Sequence, residues 1–356
     1  MLKKKKNFYN PLRSTVWILA PCQINTMRAI VFRKCGGPEV LELREVDEPI
    51  VKPHEVLIKV QAATVNRRDL WRREGRYSPP ERKNLLGFEC SGSVVEVGIM
   101  VKGWTKGNQV CAFLPDGGGY AELVAVSAVH VLPIPKGLNV VKSAALPCAA
   151  AIIWLGFFSM NKLNCHDKIL IHGGAGGVGS LAIQIAKNLG CTVYATEGSD
   201  EKVSFCKKLG ADFAINYKTE VFSNCVHKTA KTGVDCILDN MGRKFMEQNL
   251  ETLAIGGKLI IHEHDGVWPR SLVNFKQLAA KGLQVMGLDL YTLSDTKLAI
   301  VLQGVQRDVW PMIAKQDFTP GIDNAVFNFN KAPDAHKHFE SNKHIGKILL
   351  TPLAGK

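Results

Sequence analysis

The chain has 356 residues, of which 46% are hydrophobic and 22% charged, a balance that suits a soluble globular protein with room for two cores. No uninterrupted apolar run reaches the roughly 18 to 20 residues that a membrane-spanning helix needs, so no span is expected. The net charge of +13 is a weak nucleic-acid signal, because Lys3 to Lys6 and Arg13 crowd the first 26 residues and the other eight excess charges are dispersed.

Residues 1–26 form a basic extension without an acid, ending before a second methionine, Met27. The stretch reads equally as an organelle transit peptide or as an unstructured tail. From Met27 the texture is that of short strands: MRAIVF, VLELREV and EVLIKVQAATV, set apart by Gly36-Gly37-Pro38 and by Glu48 to Pro53. Asp69 to Arg73 is long enough for one or two helical turns, and Pro79-Pro80 forces an extended loop after it. LLGFECSGSVVEVG reads as a strand pair, and NQVCAFLPDGGGYAELVAV as strand, glycine loop and strand. The apolar stretch SAALPCAAAIIWLGFF then reads as a buried helix.

Lys168 to Thr196 carries the strongest functional signal. Ile169 to Ile171 is short enough for a buried parallel strand. Gly174, Gly176 and Gly179 follow with G-x-G-x-x-G spacing, which serves a tight turn, a close backbone approach to a pyrophosphate and close helix packing. Leu181, Ala182, Ile185, Ala186 and Leu189 make one apolar helix face, Gly190 ends the helix, and Val193 to Ala195 supply the next strand. That context on both sides turns a weak motif into a dinucleotide site, with Gly177 and Val178 at the helix start.

The βα alternation continues with a helix Asp200–Leu209 capped by Ser199, a strand Phe213–Ile215 and a helix Thr219–Thr229. Strands at Val234–Asp239, Lys258–His262 and Leu283–Leu290 follow, with a helix Leu272–Ala280 between the last two. Such repeats predict a doubly wound parallel sheet. A helix around Asp295–Lys315 and a closing strand GKILLTPL break the alternation and are expected to return to the first domain. Ten cysteines from Cys22 to Cys236 show no C-x-x-C pair, which points to reduced thiols in an intracellular compartment. The expected place is the cytoplasm, or a mitochondrion or plastid if the extension is a transit peptide.

GGPEVLEL, VNRRDLWRREGRYSPP, LLGFECSG, GGAGGVGSLAIQIAK, FAINY and HIGKILL occur in this order between Met27 and Leu353. In this the chain resembles the zinc-independent quinone oxidoreductases of the medium-chain dehydrogenase/reductase superfamily. The resemblance implies an α/β fold in which a split, GroES-like, β-rich catalytic domain surrounds a Rossmann dinucleotide-binding domain. The segments would be 1–26 extension, 27–148 catalytic, 149–290 Rossmann and 291–356 a return to the catalytic domain. Zinc-dependent relatives carry a metal-binding cysteine where this chain has Asn66 and a histidine where it has Phe88. PDGGGYAE after Cys111 is also too short for their four-cysteine lobe, so no metal is expected.

Glu197, about 20 residues past the glycines, would favour NAD if it took the ribose hydroxyls. The resemblance instead places Thr196, Gly198, Ser199 and Lys202 around a 2′-phosphate, with Tyr217 on the adenosine side. That implies NADPH, provided Glu197 turns away. Asn66 and Tyr77 match positions beside the nicotinamide, where donors to a developing oxyanion are needed. Ile152, where relatives often have threonine, and Trp71, where some have a smaller or phenolic residue, depart from the pattern. The expected activity is reduction of a quinone or α,β-unsaturated carbonyl; enoyl thioester or alkenal reduction and a binding protein with weak activity are the alternatives. The partner is a small molecule, with no nucleic acid, and the Leu283–Leu290 strand suggests a homodimer by resemblance.

Overall fold

A computed structural model describes residues 25–76, 85–262, 273–315 and 318–353. Residues 1–24 of the extension, Tyr77 with Pro79-Pro80, and the Leu272 start of one expected helix lie outside the described residues. The first part is strand-rich: β1 (Thr26–Val31), β2 (Glu42–Asp47), β3 (Glu55–Thr64), helix α1 (Arg67–Arg73), β4 (Glu89–Val97), β5 (Gln109–Phe113), β6 (Leu123–Ser127) and β7 (Val131–Pro133). Helices α2 (Val140–Ser143) and α3 (Pro147–Ile153) lead onward, and a π-helical segment Trp154–Asn161 extends α3. The next units are β8 (Lys168–His172), α4 (Gly177–Asn188), β9 (Thr192–Glu197), α5 (Asp200–Lys208), β10 (Phe213–Asn216), α6 (Phe222–Thr229) and β11 (Val234–Asp239). After them come α7 (Met246–Thr252), β12 (Leu253–Ile261), α8 (Phe275–Lys281) and β13 (Gln284–Gly287). The chain closes with α9 (Asp295–Gly304), α10 (Trp310–Lys315), β14 (Ile322–Asn328), α11 (Ala332–Glu340) and β15 (Lys347–Thr351).

The alternating units build one parallel six-stranded sheet in the order β10-β9-β8-β11-β12-β13. This is the doubly wound order, and its reversal point lies between β8 and β11, above which ligands sit. The apolar run explains why β8 is central: Ile169 and Ile171 enter one core cluster and Leu170 the other, all fully buried. A seven-stranded sheet, β14-β15-β3-β4-β5-β7 with β6 on β3, joins the first part to the last strands. The helical stretch α9 to α10 packs Leu298, Val301, Leu302, Val309 and Ile313 into the cluster of Ile169 and Ile171. It runs through a π-helical turn at Val305–Val309 just before Pro311, which has no N–H to give a regular α-helix.

One expectation is corrected. Leu85–Gly98 holds a single strand, β4, and not a pair. Gly92 suggests a break, but a Cβ there would lie 2.0 Å from the Lys59 carbonyl oxygen, and the ladder with β3 shifts register between Val60 and Ala62. The glycine marks an irregularity within a continuous strand.

Candidate active site

The glycines divide the work at the turn between β8 and α4. A Cβ on Gly174 would stand 2.8 Å from Cys206 Sγ, and one on Gly179 2.1 Å from the Gly173 carbonyl oxygen, so these two serve packing. Above Gly176 the nearest atom to such a Cβ is Gly173 O at 3.3 Å, leaving a cradle next to the helix start. No side chain caps α4, so its first-turn N–H groups and the helix dipole favour an anion there. Gly177 has another neighbour: its Cβ would meet Lys347 Cε at 2.5 Å. Val178 is half-buried on the same first turn.

At the end of β9 the side chains alternate. Thr196 points into the sheet and is fully buried; its hydroxyl lies 2.7 Å from His172 Nδ1, and His172 Nε2 lies 2.7 Å from Asn249 Oδ1. Asn249 Nδ2 donates to the Asp239 carboxylate, which can only accept, so Asn249 Oδ1 takes the His172 Nε2–H and His172 Nδ1 accepts from Thr196. Burial holds the His172 pKa below its usual value, consistent with a neutral ring. Asp239 also accepts from the N–H groups of Met241 and Gly242, so the network ties β8, β9 and the loop after β11 together.

Glu197 turns the other way, onto the glycine turn. It is 7% exposed, accepts a 2.6 Å hydrogen bond from the Ala175 N–H, and has its pKa raised by burial. Gly198 is required by Tyr217, whose hydroxyl would lie 2.6 Å from an added Cβ. Tyr217 is half-buried, edge-on to Phe245, with the Lys244 ammonium 4.5 Å from its ring centre. Ser199 caps α5 by accepting from the Lys202 N–H, and Lys202 Nζ donates to the Asn342 carbonyl at 2.8 Å.

Across the cleft, Asn66 begins α1 and its amide is fully engaged. Nδ2 donates to Thr64 Oγ1 at 3.2 Å and to Glu89 Oε1 at 3.0 Å, while Oδ1 accepts from Lys347 Nζ. Glu89 is fully buried; Oε1 also accepts from Thr64 and, at 2.7 Å, from Lys347 Nζ, and Oε2 accepts from the Cys148 N–H. Burial works against the Lys347 ammonium, but Glu89 outweighs it and holds the lysine pKa above its usual value. Asp69, also fully buried, accepts from the N–H groups of Asn66 and Gly87, and burial pushes its pKa to about 7. Phe88 is buried edge-on to Tyr291, Ile152 is buried in α3, and Trp71 is half-buried in α1.

Comparison with known proteins decides the family. The alcohol dehydrogenase GroES-like domain family matches residues 52–136, and the zinc-binding dehydrogenase family matches residues 177–303. Mouse quinone oxidoreductase is 30% identical over 91% of this chain and 97% of its own length. The 2-haloacrylate reductase of a Burkholderia species is 32% identical over 92% and 99%. The solved structure of Escherichia coli quinone oxidoreductase complexed with NADPH has a TM-score of 0.80, with 26% identity over 91% of this chain and all of that one. The chain belongs to the quinone oxidoreductase group of the medium-chain dehydrogenase/reductase superfamily. Like its group, this medium-chain oxidoreductase uses a nicotinamide dinucleotide on a small-molecule substrate.

The medium-chain oxidoreductase thus brings its glycine turn, Gly198, Ser199, Lys202 and Tyr217 to one edge, and Asn66 to the facing domain. Thr196 is buried away from that edge. Lys347 and Glu89 escaped sequence reasoning. The local signals for them are the closing strand GKILL and the carboxylate beside Phe88.

Proposed function

We propose that this oxidoreductase uses NADPH to reduce quinones or α,β-unsaturated carbonyl compounds, without zinc. The observation that carries the cofactor reading is the inward turn of Glu197: the acid that could take ribose hydroxyls is bonded to Ala175, and Lys202 stands on the first turn of the next helix. A strand-end carboxylate facing a 2′-phosphate would repel it; a lysine suits it. When bound, the reduced nicotinamide supplies the hydride. The residues present fit that group, since the open cradle over Gly176 and the uncapped start of α4 suit the pyrophosphate.

The zinc-free reading rests on the donor set. An amide already holding three partners, a phenyl ring and an ammonium against Glu89 stand where a divalent cation would need ligands. Asn66 keeps its family position beside the nicotinamide, while Tyr77 is proposed as the substrate-side donor from that family pattern. Steady-state turnover with NADPH and NADH against a quinone panel and an alkenal panel tests the reading; preference for NADH, or turnover with neither panel, rejects it. The relatives named for 2-haloacrylate and 2-methylene-furan-3-one reduction favour enones as the second acceptor class.

We further propose a homodimer. β13 is an edge strand of the six-stranded sheet, with Gln284, Val285 and Gly287 exposed, and so offers ladder groups to a second copy. A light-scattering mass equal to the monomer rejects it. Among the described residues no helix is long and apolar enough to cross a membrane. A cytoplasmic site, or an organelle if residues 1–26 act as a transit peptide, is tested by fusing those residues to a fluorescent reporter.

A further inference from the structure

We infer that one end of the β-rich domain is a docking surface for an anionic lipid bilayer: an apolar turn enters the interface beside the point where the basic extension joins the fold. The inference is independent of the reductase reading and needs no membrane span.

Backbone contacts hold the apolar part in place. After β4 the Val101 N–H donates to the Gly98 carbonyl at 3.0 Å, closing a tight turn with Ile99 and Met100 at its apex. Turn apices ordinarily carry glycine or polar residues. Here the two side chains are 92% and 71% exposed, and Ile50 on the neighbouring loop is 90% exposed. The Met100 N–H donates to the Pro53 carbonyl at 2.8 Å and the Gly98 N–H to the Glu55 carbonyl at 2.9 Å, so the two loops are zipped together. A Cβ at Gly98 would lie 2.4 Å from the Lys52 carbonyl oxygen, and glycine alone permits this approach. Side chains thrust outward from two joined loops form a wedge, which suits a soft interface.

Charge selects the kind of surface. Lys52, Lys102 and Lys106 are exposed on these loops, but Lys52 pairs with Glu55, and Asp47 and Glu48 stand close by, so the loops themselves are near neutral. The extension decides the sign. The Glu48 N–H, two residues before Ile50, donates to the Asn25 carbonyl at 3.0 Å, so residues 1–24 join the fold at this tip. They carry Lys3 to Lys6 and Arg13 with no acid, and Phe8, Tyr9 and Trp17 are of the type that favours the headgroup region. Each lysine at an anionic membrane surface strengthens binding roughly fivefold. An apolar wedge and a polybasic segment are the two kinds of signal that together hold a protein on a bilayer.

Flotation of the full chain with vesicles tests this, using phosphatidylcholine alone and phosphatidylcholine with about 30% phosphatidylserine, at about 50 and about 500 mM salt. Wild type should float with the anionic vesicles at low salt, and bind at least about tenfold more weakly at high salt or without phosphatidylserine. I99S/M100S should keep the wild-type Tm yet bind the anionic vesicles about tenfold or more weakly, the effect of withdrawing two apolar side chains from the interface. K3Q/K4Q/K5Q/K6Q should lose most of the preference for phosphatidylserine. Should I99S/M100S not fold, I50S on the other loop gives the same reading. No flotation of wild type on anionic vesicles, or equal flotation on phosphatidylcholine alone, overturns the inference. So does I99S/M100S binding as tightly as wild type, which would leave only a basic tail. A wild-type dimer that light scattering finds monomeric in I99S/M100S also overturns it, because the tip would then join two copies of the chain.

Discussion

The Glu197 carboxylate and the Ala175 N–H lie 2.6 Å apart, so the acid that ends β9 braces the phosphate turn. Glu197 and Lys202 should then respond differently to removal. Lys202→Ala is expected to raise the KM for NADPH about tenfold or more, as for a lost charge-assisted contact, and to leave NADH nearly unchanged. Glu197→Ala should weaken both cofactors alike, because it loosens the turn they share. Parallel initial-rate measurements with the two cofactors check both, and equal losses in Lys202→Ala would reject the NADPH reading.

Gly176 and Gly179 should separate binding from folding. Gly179→Ala places a Cβ 2.1 Å from a backbone oxygen and 2.7 Å from Gly174 Cα, which nothing nearby can relieve. Its Tm should drop sharply, reflecting a loss of unfolding free energy of about 1–3 kcal/mol or more, as overpacking at a close backbone contact costs. Gly176→Ala meets only Gly173 O at 3.3 Å, so it should fold with a Tm near wild type and still bind cofactor at least about tenfold more weakly, because its methyl fills the cradle. Thermal denaturation and fluorescence titration of NADPH read the two effects.

Asp69 predicts a pH dependence of stability. Burial raises this carboxyl from 3.8 to about 7 in the folded chain. An acid with a raised folded pKa favours the folded state below its unfolded value, and that advantage is lost as pH rises from about 4 to about 7. The loss is at most roughly 4 kcal/mol, at about 1.4 kcal/mol per unit. Denaturant midpoints between pH 5 and 8 should therefore fall with pH in wild type more than in Asp69→Asn, although the variant starts lower because an amide oxygen cannot serve both the Asn66 and Gly87 N–H groups. Parallel pH profiles for the two proteins would refute the assignment.

Metal removal gives a direct outcome. With Lys347 held against Glu89, turnover is expected to survive prolonged dialysis against a strong chelator, and purified protein should contain far less than one zinc per chain by elemental analysis. Stoichiometric zinc whose removal abolishes activity would reject the zinc-free reading.

Much of this was legible in the sequence for physical reasons. The βα alternation and the G-x-G-x-x-G turn are local patterns, and the parallel sheet follows from them: Ile169 to Ile171, Val193 and Ala195 are buried as their spacing suggests. The local signal failed where a residue answers to a distant partner. Gly92 looks like a break but fits against Lys59, and Thr196 looks like an exposed hydroxyl but belongs to His172. β14 alternates half-buried and exposed residues at the edge of its sheet, so its polar and apolar side chains do not announce a strand. Asn66 was placed by resemblance, yet its bonds were invisible because the lysine that fixes it is 281 positions away.

That separation has a consequence for how the protein is made. Synthesis proceeds from the N-terminus, so Glu89 exists long before its counter-ion, which lies 258 positions later. Until β15 is made, a carboxylate destined for full burial has no cation, and β3 and β14 lack the strand between them. Chains cut short before Lys347 can carry an intact glycine turn and still fail to assemble the centre, so only the finished polypeptide passes from a nucleotide fold to a working enzyme.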